Sequence, residues 1–169
     1  DCIIFATGFE VGTDYTRRAG YDVIGKDNLS LSQKWSDGMR TLHGIHTHGF
    51  PNLFIISNSQ SGFTTNFPHS MDETACHIGY ILNRCLEENI STVEVSESAE
   101  DAWVEEIIAV SRYNEEFQAM CTPGYYNNEG KAGNPDGFFT TSYGAGPLRF
   151  HRILHDWRED GRLDGAVVD

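Results

Sequence analysis

The sequence predicts a mixed α/β fold with a few short strands and about three helices. Three observations carry that expectation. Two short apolar runs, residues 2–6 and 53–57, have strand length and are bounded by turn formers. Three longer stretches repeat apolar residues at helical spacing, each behind a start signal. Between the second and third of them lies a glycine- and asparagine-rich stretch too broken for either element.

The elements follow in order. Cys2-Ile3-Ile4-Phe5-Ala6 reads as a short buried strand ended by Thr7-Gly8. The chain opens inside this strand-like run and without Met, which predicts a piece of a longer polypeptide. "YDVIG", residues 21–25, reads as a second short strand, and "SLSQKW", residues 30–35, as a helical turn or edge segment. Leu53-Phe54-Ile55-Ile56-Ser57 reads as another buried strand, set off by Pro51-Asn52. Ser70 with Glu73 has capping-box spacing and opens the first helix, whose apolar stripe is Ala75, Ile78, Leu82 and Cys85. "EENIS" closes it. The second helix starts near Ser96 or Ser98. Trp103, Ile107, Val110 and Phe117 form its stripe, with acidic residues opposite, and "CTPGYYNN" ends it. Residues 121–146 form a long loop rich in glycine and aromatics, of the kind that is usually functional or mobile. Gly146-Pro147 opens a third helix, since proline suits the first helical position. Phe150, Leu154 and Trp157 face inward, Gly161 stops it, and "GAVVD" is a last short strand.

Composition narrows the partners. The 169 residues hold 39% hydrophobic and 22% charged side chains, the balance of a globular domain. Twelve Lys and Arg against 25 Asp and Glu give a net charge of -13. Such a surface repels phosphate backbones and anionic membranes. The apolar runs are far too short to span a bilayer. Cys2, Cys76, Cys85 and Cys121 show no CxxC spacing and read as reduced thiols in a cytoplasmic protein.

Four motifs bear on chemistry. His43, His46 and His48 invite a metal site, because imidazole suits zinc, iron or copper. Their spacing of three and then two fits neither one helix face nor one strand face, and no cysteine or carboxylate follows at ligand spacing. They read better as polar residues on a strand and turn. "GAGPLR", residues 144–149, lacks the third glycine and the leading strand of a dinucleotide fingerprint. "FATGF", residues 5–9, ends a strand in glycine, which lets backbone approach a ligand. "SNSQSGFTTNFPH", residues 57–69, runs from a strand to a helix start. Helix N-termini present free N–H groups to carbonyls and anions, and Asn58, Ser59, Gln60, Ser61, Thr64, Thr65 and Asn66 add hydrogen-bonding groups.

Taken together, "DCIIFATGFEVGT", "GIHTHGFPNLFIISNSQSGFTTNFPH", "CTPGYYNNEG" and "FHRILHDWREDG" resemble the C-terminal part of Baeyer–Villiger monooxygenases. These are class B flavoprotein monooxygenases, and the long-chain, cyclic-ketone and steroid branches resemble the chain best. The resemblance covers nearly the whole chain in order. It implies a fragment of a flavoprotein with two dinucleotide-binding domains. Residues 1–95 would be the end of the FAD-binding domain, with its strand–turn–helix by the flavin. Residues 96–169 would be C-terminal helices with a mobile loop at 121–146. The implied activity inserts one oxygen of O2 beside a ketone carbonyl to give an ester or lactone, with FAD and NADPH as cofactors.

Roles follow from the same resemblance. Ala6-Thr7-Gly8 matches the strand end by the FAD. Asn58–Phe67 matches the segment passing the flavin ring, with backbone N–H groups near Asn66 and Phe67 toward the pyrimidine carbonyl. Phe63 and Thr64 match positions bordering the ketone pocket. Tyr125 matches the tryptophan of the loop that folds over NADPH. The expected cofactor-facing residues are thus Thr7, Gly8, Gln60, Thr65, Asn66, Phe67 and Tyr125, and the expected substrate-facing ones Phe63, Thr64 and Tyr126. The sequence departs from the family pattern in lacking the glycine fingerprints, the long histidine signature and the active-site arginine, all of which the family carries upstream. The chain therefore contributes no catalytic residue and no metal ligand, and is expected to be inactive alone. The competing readings are a fragment of an N- or S-oxidising flavin monooxygenase, a metalloprotein built on the histidines, and a non-catalytic module. The last would form a homodimer through the exposed edges of Cys2–Ala6 and Leu53–Ser57.

Overall fold

The computed structural model describes residues 2–4, 15–112, 116, 120 and 142–169. Its elements are α1 (Tyr15–Ala19), a 3-10 turn (Lys26–Asn28), α2 (Leu31–Lys34), α3 (Phe67–Glu88), β1 (Val93–Val95), α4 (Glu97–Val110), α5 (Pro147–Asp160) and β2 (Ala166–Val168). The mixed α/β expectation is met, with helices predominating. No described helix is long and apolar enough to cross a membrane.

The three long helices start and stop where local chemistry dictates. Ser96 caps α4, its hydroxyl accepting the Ala99 N–H at 3.2 Å. Proline opens α5 and Gly161, at φ 68°, closes it. The α3 boundary differs from expectation. Asn66 and Pro68 start the helix, and Ser70 lies buried within it instead of capping it. Proline needs no N–H partner in the first turn, so it wins over the serine one turn later. Helix α4 ends earlier than expected, at the Ser111 C-cap. Phe117 and most of the 121–146 loop lie outside the described residues.

The buried stripe of α3 also differs. Ser70, Thr74, His77 and Ile81 face inward, while Leu82 and Leu86 are exposed. The face opposite, on α5, carries Trp157 and Arg158, so a mixed polar and aromatic stripe packs there better than an aliphatic one. In α4 the acidic residues are not all opposite the core. Glu100 is fully buried, and Lys34 Nζ (2.7 Å), Thr47 Oγ1 (2.9 Å) and the His48 N–H (2.8 Å) satisfy it. A buried carboxylate persists only when paired and hydrogen-bonded in this way.

Both expected buried strands are corrected. Ile3 and Ile4 are 81% and 83% exposed, and residues 2–4 have no sheet neighbour among the described residues. Residues 53–57 are irregular and half-buried, tied to the preceding loop by the Ile55 N–H on the Ile45 carbonyl at 2.7 Å. A strand forms only where a ladder partner exists, and among the described residues neither run has one. Ile24 keeps a single bridge to Ser30. The chain-terminal strand is confirmed as β2, antiparallel to β1 with Val93 opposite Val168 and Val95 opposite Ala166. That pairing joins segments on both sides of residue 95. The core does likewise, with Leu42 and Ile45 packed against Trp103, Ile107, Phe150 and Leu154.

Candidate cofactor-facing site

The turn of residues 57–67 has two unlike halves. Its inner half, 57–62, is anchored from three sides. Gln60 is 1% exposed, although its φ of 55° places it in a left-handed conformation that costs a non-glycine residue. Its side-chain oxygen accepts the Thr41 hydroxyl at 2.5 Å and its amide nitrogen donates to the Met39 carbonyl at 2.6 Å. Its own carbonyl accepts the Trp103 indole N–H at 3.2 Å. Ser61 donates to the Ser57 carbonyl at 2.7 Å and accepts the Tyr143 N–H at 2.9 Å. Gly62 lies under Phe150, where an added Cβ would come within 2.7 Å of the ring.

The outer half, 63–67, faces outward. Phe63 is 50% and Phe67 46% exposed. Thr65 and Asn66 are exposed, and the Thr64 hydroxyl accepts the Asn66 N–H at 3.2 Å. Asn66 makes no side-chain cap to α3. Phe67 belongs to the first turn of a 22-residue helix, where N–H groups have no helical partner. The whole turn contains no ionisable side chain, so it can hold and orient a ligand but cannot move a proton. Two aromatic faces beside a helix N-terminus suit a flat, partly apolar ligand with carbonyl edges.

Phe63, Thr65, Asn66 and Phe67 are exposed and Thr64 is half-buried, so this consecutive stretch forms an outward-facing shelf. Gln60 is buried, with both ends of its amide committed inward to Thr41 and Met39. Thr7, Gly8, Tyr125 and Tyr126 lie outside the described residues. Sequence reasoning missed Thr41, Trp103 and Tyr143 as anchors, because each reaches the turn from a distant segment.

The histidines are not surface polar residues. His43 and His46 are 5% and 7% exposed and join His77, which α3 contributes. The His43 ring packs edge-on against Trp103 at 4.8 Å and His77 at 5.8 Å. Burial pushes the three imidazoles well below their ordinary range, to about 3 for His43, 4 for His46 and 2 for His77. They are neutral, aromatic packing groups. His48 sits apart, its Nδ1 2.8 Å from the Val95 carbonyl.

No family model matches the chain. It is 47% identical to pentalenolactone D synthase of Streptomyces exfoliatus over 99% of its own length, but spans only 29% of that protein. It is 37% identical to Baeyer–Villiger monooxygenase 4 of Dietzia sp. over its whole length, spanning 27% of that relative. An FAD-binding monooxygenase of Hypomyces subiculosus is 34% identical, with 98% of the chain and 27% of the relative covered. Among solved structures, the polycyclic ketone monooxygenase of Thermothelomyces thermophila superposes with a TM-score of 0.73 at 31% identity, covering 91% of this chain and 25% of that one. An oxidised steroid monooxygenase bound to NADP shares the fold with a TM-score of 0.69 at 18% identity, over 87% of this chain and 26% of that one.

The chain is therefore a segment of a flavoprotein monooxygenase of the kind built on two dinucleotide-binding domains. Within that class, it belongs to the Baeyer–Villiger monooxygenases, of whose members it spans little more than a quarter.

Proposed function

We propose that the polypeptide carrying this chain is an FAD- and NADPH-dependent monooxygenase that converts a ketone into an ester or lactone with one atom of O2. The observation that carries this reading is the two-faced turn, anchored by the Gln60 and Ser61 hydrogen bonds inside and open, aromatic and free of ionisable groups outside. Bound FAD would supply the redox and oxygen chemistry. The residues fit its ring end: Phe63 and Phe67 offer apolar faces, and the first turn of α3 offers N–H groups to a carbonyl. Among the described residues no glycine-rich loop is built for its phosphates.

The chain's own part is to bind, orient and keep water away. Asn66 and Phe67 would meet the cofactor's polar edge, with Thr65 beside them. Phe63 and Thr64 would border the ketone. Thr7 and Gly8 would close the site at the first segment. Tyr125 and Tyr126 would act from the 121–146 loop, on NADPH and substrate respectively, as a lid. Residues 1–95 would complete the FAD-binding domain and 96–169 would add the C-terminal helices, in a cytoplasmic protein. Without the upstream fingerprints and arginine, the chain alone would not turn over.

The test is direct. The polypeptide carrying this chain is incubated with NADPH, a cyclic ketone and isotopically heavy O2. A lactone carrying one heavy oxygen supports the reading. NADPH consumption that yields only an N-oxide or sulfoxide from amine or sulfide substrates would replace it with the related flavin oxygenases.

A further inference from the structure

We propose that Thr41 and Gln60 form a positioning clamp that sets the orientation of the ligand-facing shelf 63–67. The proposal rests on the reading of that shelf as a cofactor and ketone wall, and it goes beyond it by naming what holds the wall in place.

The geometry singles out Gln60. A glutamine at φ 55° and 1% exposure is strained, and such strain persists only where the surroundings over-determine it. Here they do. The Thr41 hydroxyl donates to Gln60 Oε1 at 2.5 Å while accepting the Gly44 N–H at 3.0 Å. The Met39 carbonyl takes Gln60 Nε2 at 2.6 Å, and Trp103 takes the Gln60 carbonyl at 3.2 Å. Gly44 must be glycine for this approach, since a Cβ there would come within 2.7 Å of the Ser59 carbonyl.

The clamp has a second tier. The loop that supplies Met39 and Thr41 is itself fastened at its far end, where buried Glu100 holds Thr47 and the His48 N–H. Glu100 and Trp103 lie three residues apart on α4 and so share one face. One helix therefore fixes both the loop and the turn. Three residues beyond Gln60 the chain emerges as Phe63. A left-handed residue redirects the chain, so a relaxed Gln60 would swing the whole shelf.

Thr41 and Gln60 touch neither ligand in this account. They are positioning residues, and the test needs a readout that a purely structural role would leave unmoved. In the polypeptide carrying this chain, Thr41→Val keeps the shape and removes the hydroxyl. Amide hydrogen exchange should quicken about tenfold or more at 61–67 while 150–157 on α5 stays unchanged. Coupling should fall with it: a several-fold larger share of consumed NADPH ends as hydrogen peroxide, with the KM for NADPH unmoved. Thr41→Ser should restore both. Unchanged exchange at 61–67 overturns the clamp, whether or not the protein proves to be a ketone oxygenase. Quickened exchange with no FAD-dependent activity in the unsubstituted protein upholds the clamp and overturns only the functional reading. If Thr41→Val fails to fold, Gln60→Glu carries the test. It keeps the acceptor for Thr41 and loses the donor to Met39, and exchange at 61–67 like that of the unsubstituted protein would again overturn the proposal.

Discussion

The inner and outer halves of the 57–67 turn are made of similar residues and do opposite things. Both are rich in serine, threonine and amide side chains. In residues 57–62 Gln60 spends its amide on Met39 and Thr41 and Ser61 its hydroxyl on the Ser57 carbonyl, while the Gln60 and Ser61 carbonyls accept from Trp103 and Tyr143. In residues 63–67 they stand at the surface beside two exposed phenylalanines. The difference teaches that polarity alone does not mark a binding residue. What marks it is a hydrogen-bonding or apolar group left uncommitted on a backbone fixed from behind.

Breaking the inner half should cost the most stability. Gln60→Ala leaves the buried Thr41 hydroxyl without its acceptor, though it still accepts the Gly44 N–H, and leaves the Met39 carbonyl without the amide donor; each buried group so deprived costs about 1–3 kcal/mol. A loss of about 2–4 kcal/mol in denaturant unfolding is expected, and a loss below about 0.5 kcal/mol would mean the inner half is no anchor.

Acid should loosen the same anchor by another route. His43 and His46 belong to the loop that holds Gln60, and they and His77 are held neutral with folded values of about 3, 4 and 2. Their folded values lie below the unfolded one near 6.5, so the unfolded chain takes up protons first. Their contribution is complete above about pH 6.5 and is lost as pH falls toward the folded values. Each histidine costs up to about 1.4 kcal/mol per pH unit in that window. Melting temperature should fall steadily from pH 6.5 to 5, before ordinary carboxylates titrate. A flat profile would remove the histidines from the account.

The outer half should show the smallest stability change and the clearest functional one. Phe63→Ala, at a half-exposed position, should alter unfolding by no more than about 0.5 kcal/mol. It should change the KM for ketone in steady-state assays while the KM for NADPH stays put. A large stability loss with unchanged ketone kinetics would erase the contrast between the halves.

How much of this was legible in the sequence depends on how local its causes are. The start of α4 and both ends of α5 were readable because Ser96, Pro147 and Gly161 act within one helical turn. Strand β1 was not, because its partner lies at the far end of the chain and its three residues carry no pattern of their own. The apolar runs at 2–6 and 53–57 looked like strands, but hydrophobicity cannot supply a ladder neighbour. For the candidate site, Phe63–Phe67 could be proposed from the helix start and the family resemblance. The inward turn of Gln60 could not, since it depends on Met39 and Thr41, 21 and 19 residues away. The buried histidine cluster was hidden for the same reason: His77 joins the loop histidines from α3.

The central claim is that the outer half alone is the wall against the cofactor. Amide hydrogen exchange in the polypeptide carrying this chain, with and without FAD, tests it most directly. The account predicts that 57–62 exchanges slowly in both states, while FAD slows exchange at 63–67, with Phe67 at the start of α3 most affected. Protection by FAD elsewhere in this chain, with 63–67 unchanged, would contradict it.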